Sequence, residues 1–401
     1  MPAVIDVSKT DDPRDVVHRA VQALAEGKLV AFPTETAYEV AASALQGAAV
    51  ERLSRLASSN TLHSCVLGIR SCDEALDYAP RLSLLGQRLA RRCWPGPLTL
   101  DVEESLEGSL MSRLPGETQT ALIHEGRLKL RVPAHPLLQS AMRFAIGPLV
   151  LGTVVAHGSS AGNGSAGASS GVAVSASDVL TAVADEVALV LDDGRTRFAA
   201  PASIARVHGR ELEITRAGVL NEATLVRLAS LMVLFVCTGN TCRSPMAEVL
   251  MRKRAAQKIG CELAELSDRG VLVMSAGIAA MSGSAASPEA HEAVAARGLE
   301  LLQHESQPVT DRLVRFADLI VTMTRGHRDA LLAQWPEAST RTKLLSRASA
   351  DVSDPIGGPL ELYRRCADQI DGYLAAWEDE IAWDSLPLLR TGPAADSSKG
   401  S

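Results

Sequence analysis

Val233-Leu234-Phe235-Val236-Cys237-Thr238-Gly239-Asn240-Thr241-Cys242-Arg243-Ser244-Pro245 is the stretch on which the reading of this chain turns. It opens with four apolar residues, as a strand buried on both faces requires. Ser244-Pro245 starts a helical pattern through Met246, Ala247, Val249 and Leu250. Proline costs nothing in a first helical turn, where its missing N–H would have no partner. In a strand–loop–helix of this kind, backbone N–H groups converge on an anion at the helix N-terminus. A thiol, Cys237, stands at the bottom of the loop, and a guanidinium, Arg243, follows six positions on. That pairing predicts a nucleophile that handles phosphate. The thiolate is the reactive form, stabilised by a helix N-terminus, a cation and hydrogen-bond donors. The N–H groups from Thr238 to Arg243, the Arg243 guanidinium and the Ser244 hydroxyl are expected to supply all three. Gly239 is expected to free the loop in φ, and Asn240 to tolerate left-handed geometry.

Outward from this stretch, strand and helix patterns alternate. Val271 to Met274 reads as a strand, His291 to Gly298 as a helix, and Ala317 to Met323 as a strand. His327 to Trp335 reads as a helix ended by Pro336, Lys343 to Leu345 as a short strand, and Leu360 to Trp377 as a long helix. This alternation predicts an α/β fold with a doubly wound parallel sheet, helices on both faces. Ligands in such folds bind beyond the carboxyl ends of the strands, where Cys237 falls. Before it, Val219 to Leu231 reads as a short helical linker.

With 401 residues the chain has room for two domains. Boundaries are expected at 1–220, a linker at 221–231, a second domain at 232–384 and a disordered tail at 385–401. A net charge of -7 gives no general attraction to nucleic acid or to a membrane surface. Aromatics are only 3%, so aliphatic residues and alanine must fill the cores. Seven cysteines fall without a CxxC pair, a zinc spacing or a small-domain disulfide framework, so no metal is expected. With no signal-peptide core at the start and no stretch long enough to span a bilayer, a cytoplasmic protein without membrane contact is expected.

The first domain opens with a helical pattern from Asp12 to Gly27, a strand at Lys28 to Phe32 and a polar turn at Pro33-Thr34-Glu35-Thr36. The stretch from Gly27 to Tyr38 resembles the opening of the YrdC-type threonylcarbamoyl-AMP synthases. Arg92 to Leu100, with Trp94-Pro95-Gly96-Pro97-Leu98-Thr99-Leu100, resembles a second motif of that family. Leu130 to His135, Leu191 to Gly194 and Ile214 to Gly218 resemble three more. The resemblance implies a YrdC-like α/β fold over roughly residues 10 to 220. It does not carry the activity across. The family's Lys/Arg pair is absent from Leu56-Ala57-Ser58-Ser59-Asn60, and a triphosphate loses much of its binding without cations. Glu39 stands where the family has glycine, and its carboxylate repels a polyphosphate. The small-residue run Gly158 to Gly167 has no nucleotide-loop ending and reads as a flexible connector. The expectation is a degenerate domain, needing ATP only if it is active. Thr34, Thr36, Tyr38 and Arg131 are candidates either for nucleotide or RNA binding or for holding the fold.

The loop itself resembles that of the low-molecular-weight protein tyrosine phosphatases, CxxNxCRS, at Cys237, Asn240, Cys242, Arg243 and Ser244. The resemblance implies that Cys237 is the nucleophile forming a cysteinyl-phosphate and that Arg243 stabilises the transition state. It implies phosphate binding by Thr238, Gly239, Asn240, Thr241, Cys242 and Ser244. It makes Cys242 a redox partner for Cys237, with a loop-filling side chain as the alternative. The family's general acid is an Asp-Pro, found here as Asp354-Pro355, with Asp351 the nearby competitor. The implied partner is a phosphorylated protein. Thr241 matches members resembling bacterial protein arginine phosphatases, where tyrosine-directed members carry a bulky aliphatic residue. Ile356-Gly357 follows Asp-Pro where tyrosine-directed members place aromatics. Phosphoarginine is therefore the favoured substrate and phosphotyrosine the second. From a different class, a threonylcarbamoyl-AMP synthase acting in tRNA modification stands as the alternative for the chain.

Overall fold

The computed structural model describes residues 2–156 and 171–390. The connector expected at 158–167 and the tail beyond 390 lie outside the described residues. The chain divides into two compact units, residues 1–225 with 388–401, and residues 226–387. No helix among the described residues is long and apolar enough to cross a membrane.

The second unit is built on Leu231–Cys237, a seven-residue strand buried throughout. It pairs in parallel with Val271–Gly277 on one side and Leu319–Thr322 on the other, and Thr342–Leu344 completes a four-stranded sheet. Side chains alternate between faces along a strand. Leu231, Val233, Phe235 and Cys237 point into a core with residues of the helices Arg243–Ile259, Pro288–Ala295 and Leu360–Ala375. Leu234 and Val236 point into a second core with Val314, Leu331 and Trp335, from Asp311–Phe316 and around Arg325–Gln334. Double-sided burial explains why the strand reads as a continuous apolar run rather than an alternating one. The strand order places Cys237 at the point where crossovers leave in opposite directions, the crevice where such sheets bind ligands.

The first unit is not a parallel sheet. Its twelve-stranded mixed sheet runs through both parallel and antiparallel pairings, with Val30–Pro33 and Tyr38–Ser43 as an antiparallel hairpin near one end. Between those strands lies the turn at Thr34 to Ala37, whose Thr34 Oγ1 donates to Ala37 O (2.6 Å) and accepts from the Ala37 N–H (3.1 Å).

The short helical linker expected before the second domain is the helix Glu222–Ala229, capped by Asn221 Oδ1 on the Thr224 N–H, with Leu231 in the central strand. The other end differs from expectation. Disorder does not begin at 385. Trp383–Ser385 forms a 3-10 turn, and Leu388–Leu389 pairs in parallel with the strand Glu211–Arg216. The Leu388 and Arg390 N–H groups donate to Arg210 O and Leu212 O, both at 2.9 Å. An open sheet edge offers unpaired backbone groups, and two leucines supply the matching strand.

Candidate active site

Cys237 is the last residue of its strand, and the loop after it closes around its sulfur. The Asn240 N–H donates to Cys237 Sγ (3.3 Å), and Ser244 Oγ lies 2.9 Å from it. Asn240 adopts φ +56, the left-handed geometry expected of it. Gly239 does not use the freedom expected of it. It is absent from the left-handed positions, and a Cβ there would meet only Thr241 Oγ1 at 3.7 Å. The strain of the loop is therefore concentrated at Asn240, where an amide side chain compensates for it.

That side chain is fully buried and has three bonds. Asn240 Nδ2 donates to Ser244 Oγ and Ser275 Oγ (2.9 Å each), and Oδ1 accepts from the Gln307 N–H (2.9 Å). Because Ser244 Oγ accepts from Asn240, its single hydrogen is free to point at Cys237 Sγ, which lies closer than its other acceptor, Ala276 O (3.4 Å). Ser275 donates in turn to Glu248 (2.7 Å), whose carboxyl burial pushes above its ordinary value. His304 Nε2 meets Asn240 O (2.8 Å). The loop backbone is pinned from the neighbouring strand's end by Ile278 N–H on Cys237 O and Ala279 N–H on Thr238 O, and by Ser287 N–H on Thr241 O. Gly277 permits this approach: a Cβ there would stand 2.4 Å from Thr238 O and 2.9 Å from Asn240 N. Glu248, Ser287, His304 and Gln307 carry no local sequence signal for this role, since each reaches the loop only through the folded sheet.

Arg243, the first residue of its helix, is buried with its guanidinium turned to the rim. Nη1 donates to Val352 O (3.2 Å), and Nη2 donates to Thr238 Oγ1 (3.3 Å) and pairs with Asp354 Oδ2. The competitor Asp351 is engaged elsewhere, accepting from the Arg325 N–H (2.8 Å). Between the two candidate acids, the geometry brings Asp354 to the loop. Ile356, just beyond, is well exposed, so no aromatic wall follows the Asp-Pro. Cys242 is buried, its sulfur 3.5 Å from Ser287 Oγ and 3.7 Å from Tyr363 Oη. Among the described residues no cluster of side chains suited to a metal ion occurs.

In the first unit the candidate residues satisfy one another. Arg131 donates to Glu39 Oε1 (2.5 Å), Glu35 Oε1 (2.7 Å) and Thr36 Oγ1 (2.9 Å), all buried. Tyr38 Oη donates to Gly194 O (2.8 Å). Glu39 therefore does more than repel an anion: it occupies the guanidinium that would attract one. Burial outweighs the Arg131 charge and holds the Glu39 carboxyl above its ordinary range. Its Oε2 has no partner among the described residues, and Glu39 lines a small cavity of mixed character with His63, Thr99, Thr153, Ile204 and Arg216.

A buried thiol that accepts from a loop N–H and meets a serine hydroxyl, with a guanidinium and a carboxylate paired beside it, is the constellation of cysteine-based phosphatases. Family models agree for both halves of the chain. Residues 232–385 match "Low molecular weight phosphotyrosine protein phosphatase" and residues 22–218 match "Telomere recombination", the Sua5/YrdC model. The protein-arginine-phosphatase of Geobacillus stearothermophilus is 36% identical over 143 residues, 35% of this chain and 88% of that protein. That of Bacillus subtilis is 35% identical over 156 residues, 38% and 97% respectively. The low molecular weight protein-tyrosine-phosphatase Wzb of Salmonella typhi is 31% identical over 141 residues, 35% and 81%. A solved arginine phosphatase from Geobacillus stearothermophilus covers 37% of this chain and 92% of its own at 34% identity, with a TM-score of 0.33. Through its second unit this chain belongs to the low molecular weight phosphotyrosine protein phosphatase family, and it joins that phosphatase to a YrdC-like unit.

Proposed function

We propose that the protein removes phosphate from arginine side chains of proteins in two steps. The Cys237 thiolate attacks phosphorus, held by the loop N–H groups and by Arg243. Asp354 protonates the leaving nitrogen, and a cysteinyl-phosphate forms. The same carboxylate then takes a proton from water as the P–S bond breaks. The observation that carries this reading is the meeting of Cys237, Arg243 and Asp354 around one loop, although Asp354 lies 111 residues from Arg243 in sequence.

Thr241, Ile356 and the two arginine-phosphatase relatives favour phosphoarginine over phosphotyrosine. A hydroxyl near the phosphorus is able to hydrogen-bond a guanidinium, and the absence of an aromatic after Pro355 removes a wall for a phenol ring. The test is hydrolysis of phosphoarginine and phosphotyrosine peptides by the parent and by Thr241→Ile. Preference for phosphoarginine in the parent, shifted toward phosphotyrosine by the substitution, is expected. A parent preferring phosphotyrosine overturns the assignment. Cys237→Ser is expected to abolish turnover of both. We also infer a protective disulfide between Cys237 and Cys242. Peroxide inactivation is then reversible by thiol in the parent and irreversible in Cys242→Ser. Seven free thiols suit a reducing, cytoplasmic setting.

The match of residues 22–218 to the synthase-type model supports a second reading, formation of threonylcarbamoyl-adenylate from ATP, threonine and bicarbonate with pyrophosphate as the leaving group. Occupation of Arg131 by Glu35 and Glu39 weighs against it. Pyrophosphate release from ATP with threonine and bicarbonate is the deciding assay, and none is expected.

A further inference from the structure

The first residue after the nucleophile, Thr238, has its hydroxyl between two nitrogens. Arg243 Nη2 lies 3.3 Å away and His327 Nε2 2.8 Å away. On its other edge the imidazole is held by Thr324 Oγ1, 2.9 Å from Nδ1, and Thr324 is the N-cap of the helix carrying His327. In the tautomer that carries the ring hydrogen on Nδ1, the hydrogens along this chain form a continuous order. A guanidinium only donates, so Thr238 Oγ1 accepts from Arg243. The threonine has one hydrogen of its own, and His327 Nε2 is the acceptor beside it. Nδ1 then carries the ring hydrogen and donates it to Thr324 Oγ1. In this tautomer the chain runs Arg243 to Thr238 to His327 to Thr324, with a neutral ring that accepts at Nε2.

The surroundings keep the ring neutral. Burial, then the Arg243 charge, push the imidazole down to about 4, against the opposing pull of Asp354 and Asp351. Asp351 itself is engaged by Arg325 at the start of the same helix.

Arg243 has three acceptors: Val352 O, Asp354 and Thr238. If Asp354 is to serve the leaving group, it must release Arg243. Only a carbonyl and the Thr238 hydroxyl then hold the guanidinium in place, and the hydroxyl is oriented by His327. We propose that His327 is a positioning residue, which aligns Arg243 for the phosphoryl transition state by orienting the Thr238 hydroxyl without itself touching the phosphate. This rests on the phosphatase reading above. An alternative role, packing alone, predicts losses that do not depend on Thr238.

The experiment is a double-mutant cycle in the full chain, with p-nitrophenyl phosphate as substrate. His327→Leu and Thr238→Val are each expected to lower kcat about tenfold with KM within about twofold, because the guanidinium's alignment counts most in the transition state. The double variant is expected to be no slower than the worse single one, as for residues acting through one path. His327→Gln, which keeps an acceptor at the ring's position, is expected to recover activity to within about threefold of the parent. Unfolding midpoints in urea separate these effects from loss of fold. If His327→Leu does not fold, the comparison of His327→Gln, as acceptor, with the isosteric-sized apolar His327→Met carries the same test. An inactive parent defeats the phosphatase reading itself. An active parent with unchanged kcat in the apolar His327 variant overturns the positioning role, as do multiplicative losses in the cycle or failure of glutamine to restore activity.

Discussion

Replacing Gly277 by alanine tests the geometry of the loop most directly. Gly277 ends the strand beside the one that carries Cys237, and the two residues are register partners. Its position is fixed from both sides, by its N–H on Gln307 O (2.9 Å) and by the Val309 N–H on its own carbonyl (3.0 Å). An added methyl would stand 2.4 Å from Thr238 O, 2.8 Å from Ala280 Cβ and 2.9 Å from Asn240 N. Two of these neighbours are loop backbone. Restoring van der Waals separation moves the loop by about 1 Å. Overpacking of this kind costs about 1–3 kcal/mol of stability, and a misplacement of about 1 Å near the reacting atoms costs about 100-fold in rate. The assay is kcat/KM on an aryl phosphate together with urea unfolding followed by tryptophan fluorescence, since Trp335, Trp377 and Trp383 all lie in this unit. Gly372, in the helix Leu360–Ala375 with open space where a Cβ would go, is the control. Alanine there is expected to add about 0.5–1 kcal/mol of stability, as helical alanine does over glycine, with activity unchanged. A Gly277→Ala protein within threefold of the parent in kcat/KM would refute the close packing of the loop on this strand.

Three further outcomes are expected. Arg131→Met leaves Glu35 and Glu39 buried without their guanidinium, and should cost about 3–5 kcal/mol by chemical denaturation. The loss should shrink as pH falls, because the Glu39 carboxyl is already raised and takes up a proton first. Cys65 and Cys366 are pushed up to about 11 and about 12 by burial, so both stay thiols at pH 8 and should resist iodoacetamide in native protein; rapid labelling of either, mapped by mass spectrometry, contradicts their environment. His327 binds a proton less tightly folded, at about 4, than at its ordinary 6.5. The stability it lends is complete above about pH 6.5 and declines as pH falls toward 4. His327→Gln should flatten that part of the acid stability profile, measured as urea midpoint against pH.

The strand, loop and helix were legible in the sequence from Val233 to Leu250, because these depend on neighbours. An apolar run buried on both faces, an asparagine able to take φ +56 and a proline in the first helical turn specify that segment locally. The Asp-Pro was also legible, as a motif of residue types, and Glu39 was visible as a misfit. What the sequence left open was how distant residues meet. His304 and Gln307 reach Asn240 across 64 and 67 residues, and His327 reaches Thr238 across 89. Glu39 reaches Arg131 across 92, turning a predicted repulsion into a buried ion pair. Glycine shows the same division. Gly239, inside the motif, needs no special backbone, whereas Gly277, outside it, is required because a neighbouring strand brings the loop within 2.4 Å of where its side chain would be. Backbone geometry within a short segment is set by local sterics and hydrogen bonds. The pairing of Asp354 with Arg243, and the support behind the phosphate loop, depend on residues far apart in sequence meeting in space, which no local pattern specifies.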